Sequence, residues 1–497
     1  MSDKRLDPSA LAAIAAAGAQ VPRYDRGRPA GIVHLGVGAF HKAHQAAYTE
    51  TALGASGGDW MIAGVSLRSA RIADELNPQD GLYTLLTRST EGTSARIIGS
   101  ISEVLVAPRD PAAVLARIAA PDTRIVSLTI TEKGYGLDPA TGGLDRSHPA
   151  VAADLLAPRN PQGAVGFIVE GIRLRRERGL AVLTVLCCDN LPHNGAILRR
   201  LVVEFARELD GELASFIEAE IPFPSTMVDR ITPASTQKTL DDTQALTGFD
   251  DPAAVETEPF SQWIIEDRFA SGRPEWEAGG ALFVTDVAPY EKMKLRMLNG
   301  AHSMLAYAGF IAGHAFVREV MADTDLAVLI ERQMQAAAMT LDPVPGIDLD
   351  AYAKDLRARF ANREIAHQTY QIAMDGTQKL PQRLLEPAMI TLRKGLPLDA
   401  YAFAVAGWLR YCVGMDETGK RYELRDPREA EIAALVDGAG CDAGSIVDRM
   451  FALPGLMPEE LSRSDEWNRA VKSRLEIMLA KSMRQAIAAE VGRARAA

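Results

Sequence analysis

Short apolar runs alternate with amphipathic stretches through the first half of the chain. Residues 31–36 (GIVHLG) are apolar apart from one histidine and close on glycine, which predicts a buried strand. A stretch with helical spacing follows to about Leu53, then a second apolar run at 61–65. Residues 124–130 (RIVSLTI) and 181–187 (AVLTVLC) predict further strands. Residues 164–178 and 198–209 carry helical periodicity, and 82–86 with 96–100 reads as an inserted hairpin. Strands alternating with helices predict an α/β domain whose mostly parallel sheet is covered on both faces. After Val284-Thr285-Asp286 the apolar residues recur mainly at helical spacing with few β-branched clusters. The pattern therefore predicts an α/β domain over 1–285 and a mostly helical, all-α domain over 286–497.

The first strand leads into His34-Leu35-Gly36-Val37-Gly38-Ala39-Phe40-His41. A dinucleotide-binding turn needs glycines here for a tight bend and for close approach of a pyrophosphate, with a helix N-terminus behind it. Gly36 and Gly38 match the first two positions of that fingerprint, and His41 stands at the third. By itself the turn serves a dinucleotide or a purely structural bend equally well. The second strand ends Val65-Ser66-Leu67-Arg68, without the acid that usually binds the adenosine ribose. Arg68 can face a 2′-phosphate, stack on adenine or point to solvent, so NAD and NADP both stay open.

Residues 290–302 (YEKMKLRMLNGAH) hold the most informative polar pattern. Projected at about 100° per residue, Lys294, Glu291, His302 and Asn299 gather on one face beside Leu298. That face is either a reaction site or a buried polar network. A partly desolvated lysine near a cationic nicotinamide has its pKa pushed toward neutrality and can act as general base on an alcohol. Amide donors beside it can stabilise the developing alkoxide. The scheme calls for no metal.

Composition narrows the partners. The chain has 497 residues with 54 Lys+Arg against 65 Asp+Glu, a net charge of −11, which argues against nucleic acid as a ligand. No apolar run is long enough to span a membrane. Asp7-Pro8-Ser9 reads as the start of a short capped helix ahead of the Ala-rich stretch 11–19. Four cysteines with no CxxC pair or zinc spacing fit a reducing cytoplasm. Adjacent Cys187 and Cys188 are expected on opposite sides of a strand.

Six segments taken together resemble one family: 31–46 (GIVHLGVGAFHKAHQA), 127–135 (SLTITEKGY), 188–195 (CDNLPHNG), 223–233 (FPSTMVDRITP), 258–276 (EPFSQWIIEDRFASGRPEW) and 290–303 (YEKMKLRMLNGAHS). Their order resembles the polyol-specific long-chain dehydrogenases, the mannitol dehydrogenase and fructuronate reductase family. The resemblance implies a Rossmann-type first domain and metal-independent, NAD(P)-dependent oxidation of a secondary alcohol, with a lean toward NAD. It implies Lys294 as general acid/base, Asn190 and Asn299 as the oxyanion-stabilising pair, and His302 as a substrate-orienting group. Glu291 takes the place of a proton-relay glutamate and Asp229 of a substrate contact. Gly36, Gly38, Phe40, Arg68, Thr129 and Glu132 form the implied cofactor set. A monomer acting on a small-molecule sugar acid or polyol, in the cytoplasm and with no membrane or nucleic-acid partner, is implied as well.

Within the family, residues 370–383 (YQIAMDGTQKLPQR) resemble the fructuronate reductase branch. Gln371 and Met374 stand where the mannitol branch has a substrate-contacting arginine and histidine; Lys379 is kept. A carboxylate substrate needs a cation, and Lys133, Lys379 and Arg383 are the candidates. Leu191-Pro192-His193 follows the polyol members instead. The expected reaction is reduction of D-fructuronate to D-mannonate with NADH. The alternatives are a mannitol 2-dehydrogenase or a related polyol dehydrogenase, and, in a different class, a non-catalytic nucleotide and sugar-acid sensor. Lys294, Asn190, Asn299 and His302 all being present argues against the sensor.

Overall fold

In the computed structural model, which describes residues 4–138 and 141–496, the chain forms two compact units, Met1–Ala288 and Pro289–Ala497. The first contains all eleven strands found among the described residues: β1 (Ile32–Leu35), β2 (Ile62–Ser66), β3 (Tyr83–Ser89), β4 (Gly92–Ile98), β5 (Ile101–Val106), β6 (Ile125–Leu128), β7 (Thr184–Cys187), β8 (Thr226–Asp229), β9 (Val255–Thr257), β10 (Gln262–Glu266) and β11 (Leu282–Val284). Five of them make a wholly parallel sheet in the order β5-β2-β1-β6-β7. Leu35 lies level with Val65 and Leu128, and Leu128 with Cys187, so these strands end along one edge. The chain moves outward to one side of β1 through β2 and β5, then returns to its other side at β6. The crevice between β1 and β6 is the topological switch point at which such sheets bind ligands.

The strands are apolar because both faces are covered. Val33, Leu35, Val126, Val185 and Cys187 pack on one side with Val114, Ile118, Phe167, Ile168 and Leu198 from the covering helices. Ile32, Ile62, Ile125, Leu186 and Cys188 face the other side. The two adjacent cysteines are thus buried on opposite faces, as the period of a strand requires. The second face differs from the expectation of helices alone. It is covered by the helix Gln45–Ser56 together with two small mixed sheets, β11-β10-β8 and β4-β3-β9, which contribute Val228, Trp263 and Val255. The inserted hairpin is longer than the apolar pattern suggested, pairing Tyr83 with Ile98 through Ser89 with Gly92. The helical stretch after the glycine turn is two pieces, Ala39–Ala43 and Gln45–Ser56, broken at His44 (φ −121°, ψ −91°). Asp7 caps the N-terminal turn, accepting from the Ser9 amide at 2.7 Å.

The described part of the second unit is helical, with no strand assigned. Its centre is the helix Gly300–Ile311, in which every residue except Phe310 is buried, as expected of a helix with neighbours all round. Asp399–Cys412 and Thr324–Ala338 pack on it. No helix is long and apolar enough to cross a membrane among the described residues.

Candidate active site

At the glycine turn the chain leaves β1 with Gly36 at φ +98°, a conformation that a side chain would strain. A Cβ there would also stand 2.2 Å from the carbonyl oxygen of Thr129, so glycine is required twice over. Thr129 closes the crevice by donating from Oγ1 to the Gly36 carbonyl at 2.8 Å. Its oxygen then accepts from His34 Nε2, also 2.8 Å away, which leaves His34 Nδ1 to accept from Ser127 Oγ at 2.8 Å. Burial pushes His34 down to about 3, so the ring stays neutral in that tautomer. His41, at the third fingerprint position, lays its ring on His34 with 3.4 Å between centroids. A stacked pair of flat rings thus fills the helix–strand contact that a small residue usually makes. Gly38 precedes the short helix Ala39–Ala43, and nothing lies within 4 Å of where its Cβ would be. A phosphate can therefore approach the backbone at Gly38, and the turn fits a dinucleotide. Phe40 stacks on His44 at 5.0 Å, and Arg68 lies exposed beyond the end of β2.

The loop after β6 carries Glu132 and Lys133, both exposed on a 3-10 turn. Thr131 just before it has φ +65° and ψ 157°, a region that non-glycine residues enter only when held. Asp189 does the holding. Its carboxylate accepts from the Ile130 and Thr131 amides, at 2.8 and 3.3 Å, and from the Tyr135 hydroxyl at 2.6 Å. Burial raises the Asp189 pKa, and those three hydrogen bonds act against the rise. The next residue, Asn190, is thereby set at the end of β7. Asn194 fixes the same corner, donating to the Asp189 and Thr226 carbonyls at 3.0 and 2.8 Å. Asp229 ends β8 and is buried. Asp189 and Asn194 escape a motif reading because each works through partners distant in sequence.

The lysine segment departs from the regular helix assumed for it. The helix Ala288–Met293 opens into a π-helix over Lys294–Asn299 and resumes as Gly300–Ile311. The Gly300 amide bonds the Leu295 carbonyl five residues back. The wider i→i+5 winding turns through less than 100° per residue, so Lys294 and Asn299 come closer in angle than the 100° projection placed them. Lys294, Glu291 and His302 are all at least nine-tenths buried. Arg296 anchors the π-turn, donating to the Thr340 carbonyl at 2.8 Å and to Glu386 at 3.1 Å.

A second π-helix, Pro381–Leu385, packs against the first. At the crossing, a Cβ on Gly300 would stand 2.9 Å from the backbone oxygen of Arg383. Gly300→Ala is therefore expected to force the two π-turns apart. Overpacking of this kind costs roughly 1–3 kcal/mol, and displacing the lysine by even a fraction of an ångström should lower kcat far more than the melting temperature. Thermal melts and initial rates on the same preparation check this; an unchanged kcat would show that the crossing does not position the site.

His302 stacks on Phe360 at 4.3 Å and meets the edge of His367 at 5.4 Å. Burial first, then the neighbouring His367, Arg359, Arg383 and Lys294, hold its pKa well below the usual histidine range, so it is neutral. Its Nε2 has no hydrogen-bond partner among the described residues, as a ligand-facing atom would not. Arg383 reaches this group through Ser303, donating from Nη1 at 3.3 Å. Lys379 instead donates to the Met374 carbonyl at 2.6 Å and lies 3.7 Å from Asp375, which ties down its own loop. Gln371 is exposed. Arg359, Phe360 and His367 are the neighbours of His302 that spacing did not reveal. Among the described residues no group of three or more His, Cys, Asp or Glu side chains is placed to hold a metal ion.

Comparison with known proteins gives this geometry a family. Residues 30–278 match the model of the mannitol dehydrogenase Rossmann domain, and 286–479 that of the mannitol dehydrogenase C-terminal domain. A D-mannonate oxidoreductase of Escherichia coli is 43% identical over 478 residues, covering 94% of this chain and 97% of that protein. A mannitol 2-dehydrogenase of Aspergillus fumigatus is 39% identical over 481 residues, covering 94% and 95%. The crystallised Pseudomonas fluorescens mannitol 2-dehydrogenase, a ternary complex with NAD and D-mannitol, superposes with a TM-score of 0.87 at 37% identity over 98% of this chain and 99% of that one. Matched over both its units, the chain belongs to the mannitol dehydrogenase family and is an oxidoreductase acting on CH–OH groups.

Proposed function

We propose that this chain reduces D-fructuronate to D-mannonate with NADH, reversibly. One observation carries the reading: the buried Lys294 and the cations Arg359 and Arg383 all act on the same neutral, buried His302. Such a surrounding favours an anionic substrate over a neutral one. The similarity to a D-mannonate oxidoreductase supports it. NADH, when bound, supplies the hydride that the C2 carbonyl accepts. Lys294 gives its proton to the C2 oxygen, and takes it back in the oxidative direction. Asn299, on the same face of the π-turn, donates a hydrogen bond to that oxygen while charge develops on it. His302 donates or accepts at a substrate hydroxyl without carrying charge, and Glu291 passes the lysine's proton onward. From the first unit the reading takes Asn190 and Asp229 for substrate, and Gly36, Gly38, Phe40, Arg68, Thr129 and Glu132 for the dinucleotide. Four cysteines in thiol form fit a reducing cytoplasm.

The second reading is a mannitol 2-dehydrogenase, favoured by Leu191-Pro192-His193 and by the structural likeness to the enzyme crystallised with D-mannitol. A substrate panel decides between them. NADH oxidation is expected to be fastest, by kcat/KM, with D-fructuronate, and slower with NADPH. A clear preference for D-fructose would replace the first reading by the second.

A further inference from the structure

The second π-turn fixes one guanidinium against the lysine segment at two levels. The Arg383 carbonyl abuts Gly300, where an added Cβ would lie 2.9 Å away. The Arg383 side chain turns back onto the same helix and donates to Ser303 at 3.3 Å. Ser303 adjoins His302, whose buried Nε2 lacks a protein partner among the described residues. Backbone and side chain of Arg383 are thus both referenced to the stretch that bears Lys294, Asn299 and His302. The other two candidate cations are placed differently. Lys133 is exposed on the 3-10 turn of the first unit, and Lys379 serves the Met374 carbonyl and Asp375 of its own loop.

We infer that Arg383 reads the carboxylate of the substrate and thereby sets the preference for sugar acids over neutral polyols. The inference rests on the sugar-acid reading above. A guanidinium presents five N–H donors in a planar fork that matches a carboxylate with two parallel bonds, and its charge does not titrate. Ser303 accepts from one of its terminal nitrogens. A primary alcohol at the same end of a ketose offers neither the charge nor the paired oxygens, so it gains less from this residue.

The test is the ratio of kcat/KM for D-fructuronate to that for D-fructose, with NADH, in the wild type, Arg383→Met and Arg383→Lys. In Arg383→Met the ratio is expected to fall about 10- to 100-fold, the range of a lost charge-assisted pair. Most of the change should appear in KM for the acid. Arg383→Lys keeps the charge without the fork and should recover part of the ratio. A ratio unchanged in Arg383→Met, or equal losses on both substrates, overturns the assignment to Arg383 while a fructuronate-preferring wild type still upholds the function. A wild type that prefers fructose overturns both. Should Arg383→Met fail to fold by circular dichroism, the ratio in Arg383→Lys decides: a fall supports the inference and no fall overturns it.

Discussion

Lys294→Ala is expected to lower kcat/KM by about 10²–10⁴-fold, the span of a lost general acid/base, while NADH still binds. The two halves of that expectation have separate physical grounds. Alanine leaves no group at the π-turn able to give a proton to the substrate oxygen or take one from it. The turn itself should persist, because it is anchored by Arg296 on Thr340 and Glu386 and by the Gly300 crossing, none of which involves the lysine side chain. The dinucleotide turn lies in the other unit, where Gly36, Thr129, His34 and Ser127 hold one another. Titrating the variant with NADH by fluorescence, beside a circular-dichroism spectrum, separates the outcomes. Native spectrum and native binding with collapsed turnover assign the lysine to chemistry. Partial recovery of the rate by a small added amine would strengthen that assignment. Loss of the native spectrum together with binding would assign Lys294 to the structure of its segment instead, and near-normal turnover would remove it from the mechanism.

What could be read from the sequence followed from the range of the interactions involved. The β1 turn was legible because a strand, two glycines and a helix follow one another within a dozen residues, and each is a local preference. The meaning of His41 was not, since its stacking partner His34 lies on the strand and the pairing is made only by packing. The 3.6-residue projection gathers Glu291, Lys294, Asn299 and His302 on one face, and Glu291, Lys294 and His302 are buried. It missed the π-turn because nothing in the sequence marks a wider winding; what packs on the turn, the second π-helix at Pro381–Leu385 and Glu386, lies about 90 residues on. Asp189, in the segment CDNLPHNG, has no local partner that marks a task, because it holds Ile130 and Thr131, 59 and 58 residues earlier. Arg359, Phe360 and His367 share that history: Phe360 and His367 meet the His302 ring, and Arg359 acts on its charge, across more than fifty residues of chain. Strands β9 to β11 were overlooked because they are three to five residues long and cover a face that the strand–helix alternation had assigned to helices.

The wild-type protein is expected to lose stability steeply between pH 6.5 and pH 5, and its buried histidines are the reason. Four of the eight histidines are held neutral by burial in the folded chain: His34 at about 3, His367 at about 4, and His41 and His302 well below the usual value of 6.5. Their folded pKa values are depressed, so their contribution is fully present above the unfolded value and is lost as pH falls from 6.5 toward the folded values. Below 6.5 the unfolded chain binds protons that the folded chain refuses, and each such group costs about 1.4 kcal/mol per pH unit. At pH 5 that is about 2 kcal/mol each for His34 and His367, with His41 and His302 acting in the same direction, against a total stability of roughly 5–15 kcal/mol. Glu50, Asp154, Glu170, Asp189 and Asp251 work the other way, since burial raises their pKa values and acid relieves them. The net loss is therefore smaller than the histidine sum. His41→Phe isolates one proton from this balance, because phenylalanine keeps a flat ring on His34 and removes the titration. Relative to the wild type, the variant should lose less stability in urea unfolding on going from pH 7.5 to pH 5. Unfolding curves for the two proteins that shift in parallel with pH would show that His41 does not resist protonation in the folded state.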